Sequence, residues 1–310
     1  MLKIYKTSAN IKEIEELEEI TQDSWIDLTN PTEKEIDTVV EKTKIDRELI
    51  LKMMDEDELP RIEQSGNGTL VVIDTPCIEN NLYMTNPLGI IITENNYVIT
   101  IAPKKIPVLN EFRKNEIKNF RTAKKIRFLI QILLKTASMY LKILRKIDKE
   151  IEEKEKKLKI NTTNEDLIDL LSTEKTLVYF ITSLKANDLV LEKLNKETVF
   201  KLYENDLDLL EDAVIENKQA IEMSSIYKDI LSSISNTYAT VVSNNLNVAM
   251  KFLAGFTIVI SVPTMISSFL GMNIPLGNLA NNPYSMMIVT VISILLSYLV
   301  GLILKNKNML

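Results

Sequence analysis

The chain has no histidine, a single cysteine and a single tryptophan in 310 residues. Without histidine it lacks the commonest general base near neutral pH and the usual zinc ligand. Cys77 alone permits no internal disulfide, and reads as a small apolar side chain bound for the interior. No nucleophile–base arrangement, phosphate loop or metal-ligand motif occurs, so nothing points to an enzyme. Basic stretches interleaved with aromatics are also missing, and Lys+Arg 37 against Asp+Glu 43 leaves the chain acidic. That balance argues against nucleic acid and suits hard cations. Met1-Leu-Lys-Ile-Tyr-Lys leads into Ile14-Glu-Glu-Leu-Glu-Glu rather than an apolar run, so no signal peptide is expected. Glycine and proline are missing between Pro107 and Gly255, and charge is missing from Phe252 to Leu304. These last two absences organise the rest.

The uncharged tail holds two stretches, Phe252 to Leu270 and Met286 to Leu304, each close to the roughly 20 apolar residues that cross a bilayer. Between them Pro275, Gly277, Asn278, Asn281, Asn282 and Pro283 break any helix. Lys251 precedes the first stretch, and Lys305 and Lys307 follow the second. Lysines collect on the cytoplasmic side, so both ends of a membrane hairpin face the cytoplasm and the connector faces out. The alternative, the buried hairpin of a soluble protein, is disfavoured because a soluble core rarely carries two charge-free stretches of this length.

Upstream, β-branched runs at Gly68–Ile73, Gly89–Thr93 and Tyr97–Ile101, bounded by Asn-Gly, Asn-Pro and Asn-Asn turns, predict strands, with two more near Leu2–Tyr5 and Trp25–Leu28. Asn30-Pro31-Thr32-Glu33 opens a helix through Val40, and Asp46 to Met54 forms another. An α/β domain over 1–105 follows. The breaker-free region predicts long helices: one from Phe120 to Lys159, charged in both signs from Arg145 on, a turn at Asn161-Thr-Thr-Asn-Glu-Asp, and a return from Leu167 to Asn195. The hairpin region covers 106–205. From about Asp206 a single helix continues through a stalk, 206–251, into the first span, 252–270. At 1.5 Å per residue that is a rod of about 95 Å, which cannot bury its apolar stripe without neighbours. An outer loop, 271–285, a second span, 286–304, and a basic tail, 305–310, complete the plan.

Asn247, Met250, Ala254, Thr257, Ser261, Thr264, Ser268 and Gly271 recur at alternating steps of three and four, the seam of a left-handed bundle. They are small or polar, whereas the flanks (Ile258, Val262, Met265, Phe269 and others) suit lipid. Small residues let membrane helices approach closely, while polar rings line a water-filled path. The stripe alone leaves these even. Asn247 at its inner end and Gly271-Met272-Asn273 at its outer end favour the path.

Gly271-Met272-Asn273 closing the first of two C-terminal spans, with Asn247, Met250, Lys251, Leu253 and Pro263-Thr264 upstream and a short basic tail, resembles the CorA-type magnesium transporters, and the layout agrees over the whole chain. The sequence departs from that pattern at Leu270, where an aromatic is usual, and in a connector without acidic residues. The resemblance implies a homopentameric channel whose first span lines the path and whose second faces lipid. It implies a selectivity filter at Gly271, Met272 and Asn273, and a gate at Met250 and Leu253. Heptad spacing points Ala254 rather than Leu253 inward, and both stay open. Mg²⁺ gives up its water reluctantly, so neutral amide and carbonyl oxygens at Asn273, Gly271 and Met272 suit a hydrated ion. Gly271 also allows a tight or positive-φ turn. The family closes its pore with divalent ions held by cytoplasmic carboxylates. Asp212 matches one side of that site, and Asp55, Glu56, Asp57 and Glu58 lie near the other. The cargo implied is Mg²⁺, with Co²⁺ or Ni²⁺. A Zn²⁺ transporter of the same fold and a non-conducting membrane-anchored scaffold or sensor are the alternatives.

Overall fold

The computed structural model describes residues 1–8, 13–79, 82–158, 164–196, 199–272 and 283–307. The chain forms two compact units, Met1–Ile234 and Ser235–Leu310.

The first unit is built on a seven-stranded sheet of β1 (Leu2–Thr7), β2 (Ile14–Leu17), β3 (Trp25–Thr29), β4 (Arg61–Ser65), β5 (Gly68–Glu79), β6 (Leu82–Thr93) and β7 (Val98–Ala102), in the order β2-β1-β3-β7-β6-β5-β4. Among the described residues only β3 and β7 run parallel. Alternate side chains feed two cores. Leu70 and Val72 meet Ile36, Val39, Leu49 and Ile50 from α1 (Glu33–Thr43) and α2 (Arg47–Lys52). Val71 and Ile73 point the other way, toward Phe112 of α3 (Leu109–Arg113) and Phe128 and Leu129 of α4 (Lys125–Leu158). A sheet covered on both faces needs apolar residues at every position, which is why its central strands read as unbroken runs. Both α1 and α2 start on side-chain caps: Thr32 and Glu35 form a capping box, and Asp46 accepts from the Glu48 N–H. The α1 helix runs on past Val40 to Thr43 and ends with Lys44 in the left-handed region at φ 61°.

Helices α4 and α5 (Asn164–Asn195) form a hairpin, with α4 beginning at Lys125 rather than Phe120. Of the residues expected to turn between them, 161–166, the first three lie outside the described set and Asn164, Glu165 and Asp166 already belong to α5, which starts three residues before the expected Leu167. Tyr140, Leu144, Ile147, Leu177, Phe180 and Leu184 pack with Ala220 and Leu231 of α6 (Glu204–Leu270). The hairpin is tied to the sheet where β5 loses its neighbour. β4 pairs only as far as Val72, so beyond it the β5 backbone would be an open edge. Asn187 closes it: its Oδ1 accepts from the Asp74 N–H at 2.9 Å and its Nδ2 donates to the Asp74 carbonyl at 2.8 Å. Cys77 is buried, as expected, and that burial pushes its thiol up to about 11.

In the second unit α6 continues to Leu270 and α7 spans Ser285–Asn306. Both are long and apolar enough to cross a membrane.

Candidate functional site

Between Phe252 and Leu270 only Gly255, Val259, Val262, Pro263, Ile266 and Leu270 lose much of their exposure. Those positions share one face, and that face meets α7: a Cβ added to Gly301 would sit 3.9 Å from Val259 Cγ2. On α7 the shielded positions are Ser285, Val289, Ser293, Ser297, Val300, Gly301 and Leu304. Their row of small residues four apart lets the helices approach closely, and Ser297 satisfies its own hydroxyl on the Ser293 carbonyl at 2.9 Å. The sequence reading had assigned close packing or a wet path to the same stripe of α6. Within this chain the close packing is carried by α7 and the opposite side of α6. The missed signal was the spacing Ser293-x3-Ser297-x3-Gly301.

At about 100° per residue, Met250, Thr257, Ser261, Thr264 and Ser268 stand within roughly 30° of the direction diametrically opposite α7. All five are exposed. Leu253 and Ala254 straddle that direction, each about 50° to one side, which is why spacing could not choose between them. Asn247 and Gly271 lie further round, at the N-terminal and C-terminal ends of the row. Thr264 also borders a groove beside α7.

The seam hydroxyls are tethered. Thr257 donates to the Leu253 carbonyl at 2.8 Å, Ser261 to Ile258 at 2.8 Å and Thr264 to Ile260 at 3.2 Å. Each spends its hydrogen on the helix backbone and leaves oxygen lone pairs outward. The seam therefore offers acceptors. Water bound to a divalent cation offers donors.

At the C-terminal end of the row the Gly271 N–H donates to the Ser267 carbonyl at 2.9 Å and that of Met272 to the Phe269 carbonyl at 3.4 Å. Gly271 does not use a positive φ. Its lack of a side chain serves sterics instead, because a Cβ there would press on the Ser267 carbonyl oxygen at 3.3 Å. Asn273 lies outside the described residues.

The candidate acids of the first unit sort by partner. Lys104 holds Glu56 at 2.7 Å, and Arg61 holds Glu58. Asp55 accepts only from the Asp57 backbone N–H, at 3.0 Å, and the Asp57 carboxylate is unpaired among the described residues. Asp212 is exposed and likewise unpaired there. Among the described residues of one chain, no three Asp, Glu or Cys side chains converge as a metal site.

Residues 22–306 match the family described as CorA-like Mg²⁺ transporter protein. The chain is 30% identical, over 88% of its length and 86% of the relative's, to the cobalt/magnesium transport protein CorA of Methanocaldococcus jannaschii. Its fold is similar to the complete structure of the CorA magnesium transporter from that organism, with a TM-score of 0.86 at 27% identity over 98% of this chain and 96% of that one. The ZntB cytoplasmic domain from Vibrio parahaemolyticus shares the fold at a TM-score of 0.61, with 11% identity over 78% of this chain and 98% of that domain.

Proposed function

The chain belongs to the family of CorA-like Mg²⁺ transporter proteins, and from that membership we propose that it is a gated path for divalent cations across the cell membrane, carrying Mg²⁺ and also Co²⁺ or Ni²⁺. The observation that carries this reading is the row of outward-facing hydroxyl oxygens opposite α7. A single hairpin encloses nothing, so copies of the chain must surround the row, five of them by resemblance to the family. Each ring then presents neutral acceptors to a hydrated ion, which keeps its water and needs no charged ligand.

The outer filter is Gly271, Met272 and Asn273, whose amide and carbonyl oxygens select a cation by its water shell. Met250, central on the seam and apolar, is the constriction together with Leu253 or Ala254. Lys251, Lys305 and Lys307 hold both ends of the hairpin in the cytoplasm. Asp212 of one copy and Asp55 or Asp57 of the next bind the regulatory Mg²⁺ that closes the pore. Glu56 and Glu58 are the weaker candidates, because each already has a cation. Carboxylates brought together repel unless a divalent ion lies between them, so closure follows internal Mg²⁺.

Uptake of Mg²⁺, Co²⁺, Ni²⁺ and Zn²⁺ by the purified full-length protein in liposomes tests the reading. Potential-driven Mg²⁺ entry that falls as internal Mg²⁺ rises is the expected result. Preferential Zn²⁺ entry would move the assignment to zinc, and no flux of any ion would leave a scaffold.

A further inference from the structure

A groove of about 820 Å³ lies along the α6–α7 pair in the second unit, bordered by Val259 and Pro263 on one side and by Ile294, Tyr298, Gly301 and Lys305 on the other. It is apolar apart from the Tyr298 hydroxyl, a serine, a threonine and, at one end, the Lys305 ammonium. We propose that it holds an acyl chain of an anionic phospholipid, with the lipid phosphate on Lys305. This rests on the orientation given above, which puts Lys305 at the cytoplasmic leaflet.

Depth is the first argument. From Ile294 to Lys305 the groove runs about 16 Å along α7. Half of a bilayer's hydrocarbon is about 15 Å thick. The groove therefore reaches from the headgroup boundary to the midplane and stops, as an acyl chain does. A helix from a second copy would need a track through both leaflets.

Charge is the second. From Ser235 to Leu310 there are three lysines (251, 305 and 307) and no Asp or Glu. Lys305 has no ion-pair partner among the described residues. A second copy's membrane unit carries the same three lysines and no side-chain carboxylate, so it adds like charge at this boundary. A phosphodiester from the inner leaflet supplies the missing anion. Tyr298, 67% exposed along the groove, lies about 10 Å below Lys305 on the same helix, at the depth of the acyl chain rather than of the headgroup.

The test is lipid retention by the full-length protein, counted by native mass spectrometry after exchange against equal phosphatidylglycerol and phosphatidylcholine. The expected result is a preference for phosphatidylglycerol. Lys305→Gln should cut that preference about fivefold, the effect of one cation near an anionic headgroup. Lys307→Gln, outside the groove, should leave it standing. Ile294→Trp fills the groove from a side chain that lines it, 62% exposed and outside the row packed on α6, and should abolish retention of both lipids with the oligomer unchanged on gel filtration. In parallel, Tyr298→benzoylphenylalanine should cross-link to lipid on illumination. Phosphatidylglycerol retained equally by wild type, Lys305→Gln and Ile294→Trp would overturn the proposal, as would a cross-link joining position 298 to a second copy. Neither readout involves ion flux, so a failure here is distinguishable from a failure of the transport assignment.

Discussion

Replacing Thr257 by valine asks directly whether the seam is wet. The substitution keeps the shape of the side chain and removes one hydroxyl. That hydroxyl donates only to the Leu253 carbonyl, at 2.8 Å, and in an α-helix this carbonyl also receives the N–H four residues on. Folding should therefore be indifferent, with thermal stability in detergent changing by less than about 0.5 kcal/mol. Flux should not be. A water–hydroxyl contact is worth about 1 kcal/mol net. A hexahydrated ion passing a ring of such residues and losing two contacts at once meets a barrier higher by about 2 kcal/mol, or about thirtyfold slower passage. Thr290 supplies the control. It is exposed on α7 and tethered in the same way, to the Met286 carbonyl at 2.8 Å, but lies on the helix assigned to lipid. Dye-reported Mg²⁺ uptake into liposomes should fall for Thr257→Val and hold for Thr290→Val. Equal uptake by both variants, or equal loss in both, would refute the assignment of the path to this face of α6.

The paired change Met250→Ala and Leu253→Ala should widen the constriction and raise Mg²⁺ entry severalfold at high internal Mg²⁺, where wild type is closed; flux at low internal Mg²⁺ should change less. Asp212→Asn removes a unit charge from the proposed regulatory site and should raise the internal Mg²⁺ needed for half closure about tenfold, read from uptake against preloaded Mg²⁺. Asn187→Leu strips both hydrogen bonds from the open edge at Asp74 and should cost about 2–4 kcal/mol, a fall of about 5–10 °C in the melting temperature of the full-length protein. Partial burial favours the protonated form of Glu35, but donation from the Thr32 N–H, the N-terminal ammonium and the Leu2 N–H outweighs it and lowers the carboxyl from its ordinary 4.5 to about 2. A lowered folded pKa gives stability that is present above the unfolded value and lost as pH falls through the folded one. The difference in melting temperature between wild type and Glu35→Gln should therefore be full above about pH 5 and shrink toward pH 2.

The strands that the sequence made plain are those of the sheet interior. β3, β5, β6 and β7 need apolar residues on both faces, and their β-branched runs announce it. The two strands left unread, β2 with Glu15 and Glu16 and β4 with Arg61, Glu63 and Gln64, are the two edges of the sheet. Charges on an edge strand keep a second chain from pairing with it, and the same charges erase the alternation by which a strand is recognised. The α3 helix was missed for another reason, being only five residues long with no side-chain cap. Among the candidate site residues, the seam was legible because it repeats. The pairing of Glu56 with Lys104 and Glu58 with Arg61 was not, because Lys104 comes from beyond β7 and reaches Glu56 only through the folded sheet.

The choice of hydroxyls for the middle of the seam follows from how such a subunit must exist before it assembles. A lone hairpin in the bilayer shows its seam to lipid, where an unsatisfied polar group costs several kcal/mol. Thr257, Ser261 and Thr264 escape most of that cost by donating to carbonyls one turn back on the same helix. Asparagine at those depths would leave amide hydrogens unpaired, and aspartate would carry a charge into hydrocarbon. In the sequence the amides stand at the two ends: Asn247 comes one turn before Lys251, and Asn273 follows Met272. The row is thus self-contained in a single subunit, yet it retains outward acceptors that gain value only when copies of the chain enclose water between them. A polarity graded by depth in this way would let one helix be both a tolerable lipid-facing surface and, in the proposed channel, the wall of an aqueous path.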